Sequence, residues 1–249
     1  MKNAYEQLYI DCLSQDTFLT SAHFAAMKGQ YYDVAGLRFL LIGRAANGWG
    51  RLDTASAKAF GEDAVRQFGD YGRWDWIESV NGVLYNAHDR DKSVKSKRYC
   101  IDRKPFWSYA KAVWQSFGQA PYTGDVWMKN IAWSNLYKVS PLNGGNPAPR
   151  MLKAQQAACI EIVKQELALL HPTHILIMTG FDWFAPFSPL FDHVRRLDEP
   201  RPACVEGTAS YGGAKVVITC RPEYRDKKRF LADTAEAFGQ SHLAARSDS

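Results

Sequence analysis

The chain predicts an α/β fold built on a parallel sheet, and three observations carry that expectation. Four short apolar runs recur along it: RFLLIG (38–43), KNIAWSNLYKV (129–139), HILIMTG (174–180) and KVVITC (215–220). None alternates strictly between apolar and polar residues, which is the pattern of strands covered on both faces. The segments between them are long enough to hold the crossover helices that parallel neighbours require.

The elements follow in order. Residues 4–27 mix apolar and polar positions at roughly helical spacing, with Tyr5, Leu8, Tyr9 and Cys12 on one face, so an N-terminal helical segment is expected over about 1–30. The 38–43 run ends in glycine. An insertion of about 50–125 follows with few clear elements until PFWSYAKAVWQSFG (105–118). There Trp107, Ala110, Trp114 and Phe117 recur at one-face helical spacing, and Gly118 is a natural stop. The 129–139 run is rich in aromatic and β-branched residues, and PLNGGNPAP (141–149) is a turn cluster. A helix is expected from about Arg150 to Leu170, with Leu152, Cys159, Val163, Leu167 and Leu170 as its apolar stripe. Glu206, Gly207 and the Gly212–Gly213 pair read as belonging to a loop before the last strand. A C-terminal helix follows RPEYR (221–225).

Composition narrows the class. With 249 residues, 46% hydrophobic and 23% charged, and no internal repeat, the chain reads as one globular domain over 1–249. No apolar run approaches the roughly 20 residues of a membrane span. The start, MKNAYEQLYIDCL, lacks a signal-peptide layout, so a cytoplasmic protein without membrane contact is expected. Five scattered cysteines without a CxxC pair exclude a secreted disulfide framework and most four-ligand zinc sites. The net charge of +5 is concentrated in RDKSVKSKRYCIDRK (90–104) and RDKKR (225–229). Each is either a solvated face or a nucleic-acid contact.

In parallel sheets ligands collect beyond the carboxyl ends of the strands. The four runs lead there into GRAANGWG, NLYKVSPLNGG, TGFDWF and CRPEYR, and these loops are the expected site. No Walker-type phosphate loop and no HExxH helix is present.

The stretch 135–180 resembles the uracil-DNA glycosylase superfamily, nearest its thermostable iron–sulfur branch. The residues that carry the resemblance are Asn135, Lys138, Pro141, Asn146, Pro147, Cys159, Leu170, Pro172 and Gly180. The family's first motif falls on LLIGRAANG (40–48) and its last on ITCRPEY (218–224). The resemblance implies a three-layer α/β/α domain with a four-stranded parallel sheet in the order 2-1-3-4. It also implies a base-excising activity on DNA, with the target base flipped into a pocket.

Cutting an N-glycosidic bond builds positive charge on the sugar and negative charge on the base. A carboxylate or a held water serves the first, and a cation or hydrogen-bond donor serves the second. By the resemblance, Asn135 reads the base, since an amide offers both donor and acceptor, although a structural strand-end Asn is an equal reading. Gly43, Arg44 and Ala45 fall on the first motif and would line the base. Trp49 is either a stacking ring or core. The family's motif-one carboxylate or amide is replaced by Arg44 and Ala45, leaving Asn47 or Asp182 for the sugar side. Both of these are also ordinary turn residues. Arg221 takes the place of the last motif's histidine. It either stabilises an anionic leaving group or pairs with Glu223. Lys95, Lys97 and Arg98, with Ser140 and Arg225, are the candidate nucleic-acid contacts.

The iron–sulfur branch needs four cysteines. Here Cys159 matches one ligand, Val139 stands at another's place, and Cys12 is alone at the N-terminus, so no cluster, metal or other cofactor is expected. The expected ligand is DNA or another nucleobase-containing molecule. The expected function is a base glycosylase of altered specificity. Its alternatives are a base-binding module without the cutting step and a nucleoside or nucleotide hydrolase.

Overall fold

A computed structural model of the chain describes residues 1–13, 18–47, 52–69, 83–84, 99–100, 104–118, 127–197, 204–223 and 225–239. In chain order the elements begin with α1 (Lys2–Leu13), β1 (Ala22–His23), β2 (Met27–Lys28), β3 (Phe39–Gly43) and α2 (Ala57–Gly69). Next come β4 (Val83–Leu84), β5 (Tyr99–Cys100), α3 (Pro105–Ser116), β6 (Ile131–Asn135), β7 (Val139–Ser140) and α4 (Pro149–Leu170). The last are β8 (His174–Met178), α5 (Phe181–Phe184), β9 (Asp192–Arg196), β10 (Val205–Tyr211), β11 (Ala214–Thr219) and α6 (Lys227–Ala237).

The main sheet is mixed and has seven strands, in the order β2-β6-β3-β8-β11-β10-β9. Its interior pairs, β6 with β3, β3 with β8 and β8 with β11, are parallel. Its outer pairs are antiparallel. Two further two-stranded ladders join β1 to β7 and β4 to β5.

The apolar runs at the centre work because both faces are covered. Leu40, Ile42, Ala132, Ile175, Ile177, Val216 and Ile218 share one core with side chains of α1, α2 and α4. Phe39, Leu41, Ile131, Trp133, Leu176 and Val217 point the other way and share a second core with α3 and α6. Strand side chains alternate between faces, so a strand buried on both sides is apolar at most of its positions. Each such side chain contributes about 1.5–3 kcal/mol by leaving water.

Local chemistry sets the helix ends. Pro149 opens α4, where a missing N–H costs nothing. His171 closes α4 in the left-handed region at φ 44°, its N–H donating to Leu167 O, and Pro172 prevents continuation. Asp226 caps α6 by accepting from the Arg229 N–H at 2.8 Å.

The structure departs from the sequence expectation in four places. The sheet has seven strands rather than four, because antiparallel edges were added to the apolar interior. Strands β9 and β10 form with β11 an edge whose outer member is fully exposed, so it carries no apolar signature. The Gly212–Gly213 pair expected in a loop, both residues at positive φ, is instead the turn of the β10–β11 hairpin. The expected N-terminal helical segment is a single helix over Lys2–Leu13, and 22–28 instead supplies two strand fragments. The insertion contains α2, whose buried Phe60, Gly61, Ala64 and Gln67 form one helical face. Finally, the 129–139 run breaks after Asn135. Leu136 and Tyr137 donate to Gly43 O and Arg44 O, and pairing resumes at β7.

No helix among the described residues is long and apolar enough to cross a membrane, and none of their His, Cys, Asp and Glu side chains form a group of three suited to a metal ion.

Candidate functional site

A cavity of about 450 Å³ opens at the carboxyl ends of β3, β6, β8 and β11. That volume lies within the range of small-molecule sites. Its wall combines Gly43, Arg44, Ala45, Ala46 and Asn47 after β3 with Trp133 and Asn135 of β6 and Met178 of β8. Arg221, Pro222 and Glu223 after β11, Gly145 and Asn146 of the turn, and Lys104, Pro105, Phe106 and Trp107 at the start of α3 complete it.

Asn135 is the last residue of β6 and lies beside Gly43 in parallel register. Its side chain is 2% exposed, and its Nδ2 has no hydrogen-bond partner. A buried amide donor left unpaired costs about 1–3 kcal/mol, so this group is poised for an acceptor brought by a ligand. A Cβ on Gly43 would collide with the Asn135 Oδ1 and would sit 3.3 Å from the Phe106 ring. Glycine there lets the amide and the ring close on the strand end. Phe106 in turn packs edge-on against Trp107, with centroids 5.0 Å apart.

Beneath Asn135 lies a buried polar cluster. The Lys138 ammonium, fully buried, donates to Glu166 Oε2 at 2.8 Å, to Ser134 Oγ at 2.8 Å and to the Asn135 carbonyl at 2.7 Å. Ser134 Oγ donates to the same Glu166 oxygen at 2.6 Å, and Tyr5 Oη reaches Glu166 Oε1 at 3.4 Å. Burial, and then the Glu166 charge, push the Tyr5 hydroxyl well above its usual pKa, so it stays a donor. Gln155 of α4 accepts from the Lys138 and Val139 N–H groups and donates to Val139 O. The strand end that carries Asn135 is therefore tied to α4 through both backbone and side chains.

Arg44 runs along the cavity toward the end of β8. Its Nε donates to Thr179 O at 2.6 Å, and its guanidinium lies 4.9 Å from the Trp183 ring centroid. Burial first, and the neighbouring Arg221 second, lower its pKa from the ordinary arginine value. Neither nearby carboxylate forms an ion pair with it. Glu206 accepts from the Phe181 N–H, and Glu223 takes a two-point grip from Arg221, at 3.0 Å from Nε and 2.6 Å from the terminal nitrogen.

Asn47 also reaches the cavity, but as a loop staple. It sits at φ 50°, and its Oδ1 accepts from the Gly145 N–H at 2.7 Å. That joins the loop after β3 to the Gly–Asn–Pro turn.

The structure thus gathers Gly43, Arg44, Ala45, Asn47, Asn135 and Arg221 around one cavity. Asp182 is elsewhere: its side chain is 83% exposed and pairs with Arg196 at 3.2 Å. Glu223 is the carboxylate among the described lining residues, where the sequence suggested it as a partner for Arg221. Ser140 is 1% exposed and borders a separate cavity of about 480 Å³ with Ser21, Leu142 and Met151. Arg225 is exposed, and its carbonyl accepts from Tyr109 Oη at 2.6 Å. Trp49, Lys95, Lys97 and Arg98 lie outside the described residues. Phe106, Trp107 and Met178 were missed as site residues. The helical stripe at 105–118 marked Trp107 as core, and nothing local shows that the start of that helix meets the strand ends. Compared with protein-family models and with curated proteins, the chain matches none.

Proposed function

We propose that the cavity is a nucleobase pocket of the uracil-DNA glycosylase type, in which Asn135 reads the edge of the base and Phe106 covers its face. The observation that carries this reading is the unpaired Asn135 amide, buried at a strand end beside an aromatic ring in a cavity of ligand size. The parallel interior of the sheet supports it too. The strand bearing Asn135 pairs in parallel with Phe39–Gly43, which pairs in parallel with His174–Met178 on its other side.

The favoured activity is recognition of a base without excision. Ala45 brings no polar side chain to the pocket, Asn47 is committed to Gly145, and Asp182 is outside. A second reading, excision, rests on Glu223, which lines the cavity and carries the charge a cationic sugar needs.

The test is binding and abasic-site formation on single- and double-stranded oligonucleotides carrying uracil, hypoxanthine or xanthine. Binding that Asn135→Ala abolishes, with no abasic product, establishes recognition. Abasic product lost in both Asn135→Ala and Glu223→Gln moves the assignment to excision. Absence of any base-dependent binding would sink the pocket assignment.

A further inference from the structure

We infer that the ligand of this cavity carries an anionic group, a phosphate attached to the nucleobase-bearing sugar, and that Arg44 is its anchor. This rests on the base-pocket reading and adds the class of ligand.

The inference begins with an imbalance of charge. Among the described lining residues Arg44 and Arg221 meet a single carboxylate, Glu223. Glu223 is already engaged by Arg221 at two points. Arg44 is partly buried and pairs with no carboxylate, being held by a neutral carbonyl and an aromatic face. A guanidinium partly removed from water with no carboxylate paired to it is costly. Its Nε is spent on Thr179 O, which fixes the side chain and leaves the terminal nitrogens of a planar fork suited to phosphate oxygens. Trp183 buttresses one face of that fork, so little side-chain freedom remains to be lost when an anion binds.

The two demands on one cavity are complementary. Asn135 offers a donor to a neutral acceptor on a base, and Arg44 offers a cation to a group beyond it. A neutral nucleoside satisfies the first and leaves the second. A nucleotide satisfies both, whether it is free or a unit of a strand.

The experiment is calorimetric titration of the full chain with deoxyuridine, deoxyinosine and their 5′-monophosphates, with inorganic phosphate, and with a short single strand containing the same base. The monophosphate should bind about tenfold more tightly than the nucleoside, as charge-assisted hydrogen bonds imply. Arg44→Gln, whose amide can still meet Thr179 O, should erase that difference, lowering monophosphate affinity by far more than nucleoside affinity. Arg44→Lys should retain part of it, which separates loss of charge from loss of fold. The tighter of monophosphate and single strand names the source of the phosphate. Equal binding of nucleoside and monophosphate overturns the anion site and leaves the base pocket standing. Phosphate binding that depends on Arg44, with no added affinity from any base, upholds the anion site and overturns the base pocket.

Discussion

The side-chain oxygen of Asn135 occupies the space in which a side chain on Gly43 would begin, and the two residues are register partners on adjacent parallel strands. The strand end is thereby narrowed to backbone on one side and an amide on the other, with Phe106 closing above.

Gly43→Ala should therefore push Asn135 from its position. A methyl group forced into a packed site costs about 1–3 kcal/mol, and base binding should fall by about tenfold or more. Urea denaturation checks the first figure, and titration with nucleoside checks the second. Unchanged affinity would remove Asn135 from the role assigned to it.

The Lys138–Glu166 pair, 0% and 2% exposed, holds the same strand end from below. Lys138→Met alone leaves a buried carboxylate unpaired and should destabilise the chain by about 3–5 kcal/mol. Lys138→Met combined with Glu166→Leu should cost much less than the single changes added together. Strict additivity in urea melts would show that the two groups are not coupled.

His174 begins β8 with Phe117 and Phe238 around it, at ring-centroid distances of 4.8 and 5.5 Å. Burial, and then the charge of Lys215, lower its pKa below the ordinary 6.5. The unfolded chain thus takes up this proton before the folded one. The contribution of His174 is complete above about pH 6.5 and is lost as pH falls through the lower folded value. Thermal melts between pH 7.5 and 5 should show a decline that is smaller in His174→Phe. An identical pH profile in that variant would assign the decline to other groups.

Some of this was legible in residue order. The interior strands declared themselves because burial on both faces favours continuous apolar residues, and 39–43, 131–133 and 175–178 supply them. The edges did not, since an exposed strand such as Asp192–Arg196 has no apolar face to display. The stretch Ala57–Gly69 carried a helical face in Phe60, Ala64 and Gln67, but amid polar neighbours that masked it.

For the site, the sequence determined which chain segments follow the strand ends, and with them the positions of Gly43, Arg44, Asn135 and Arg221. Tertiary structure decided how those residues are used. Asn47 became a staple because Gly145, far along the chain, presents its N–H there. Arg221 gave its fork to Glu223, while Arg44, held by a carbonyl and a ring, entered no ion pair. Asp182 turned outward to Arg196, and Phe106 arrived from a helix that the sequence marks only by its own periodicity. The division has a physical cause. Strand burial is a local pattern of apolar residues, whereas a hydrogen bond or an ion pair is settled by whichever partner the folded chain brings within about 3 Å.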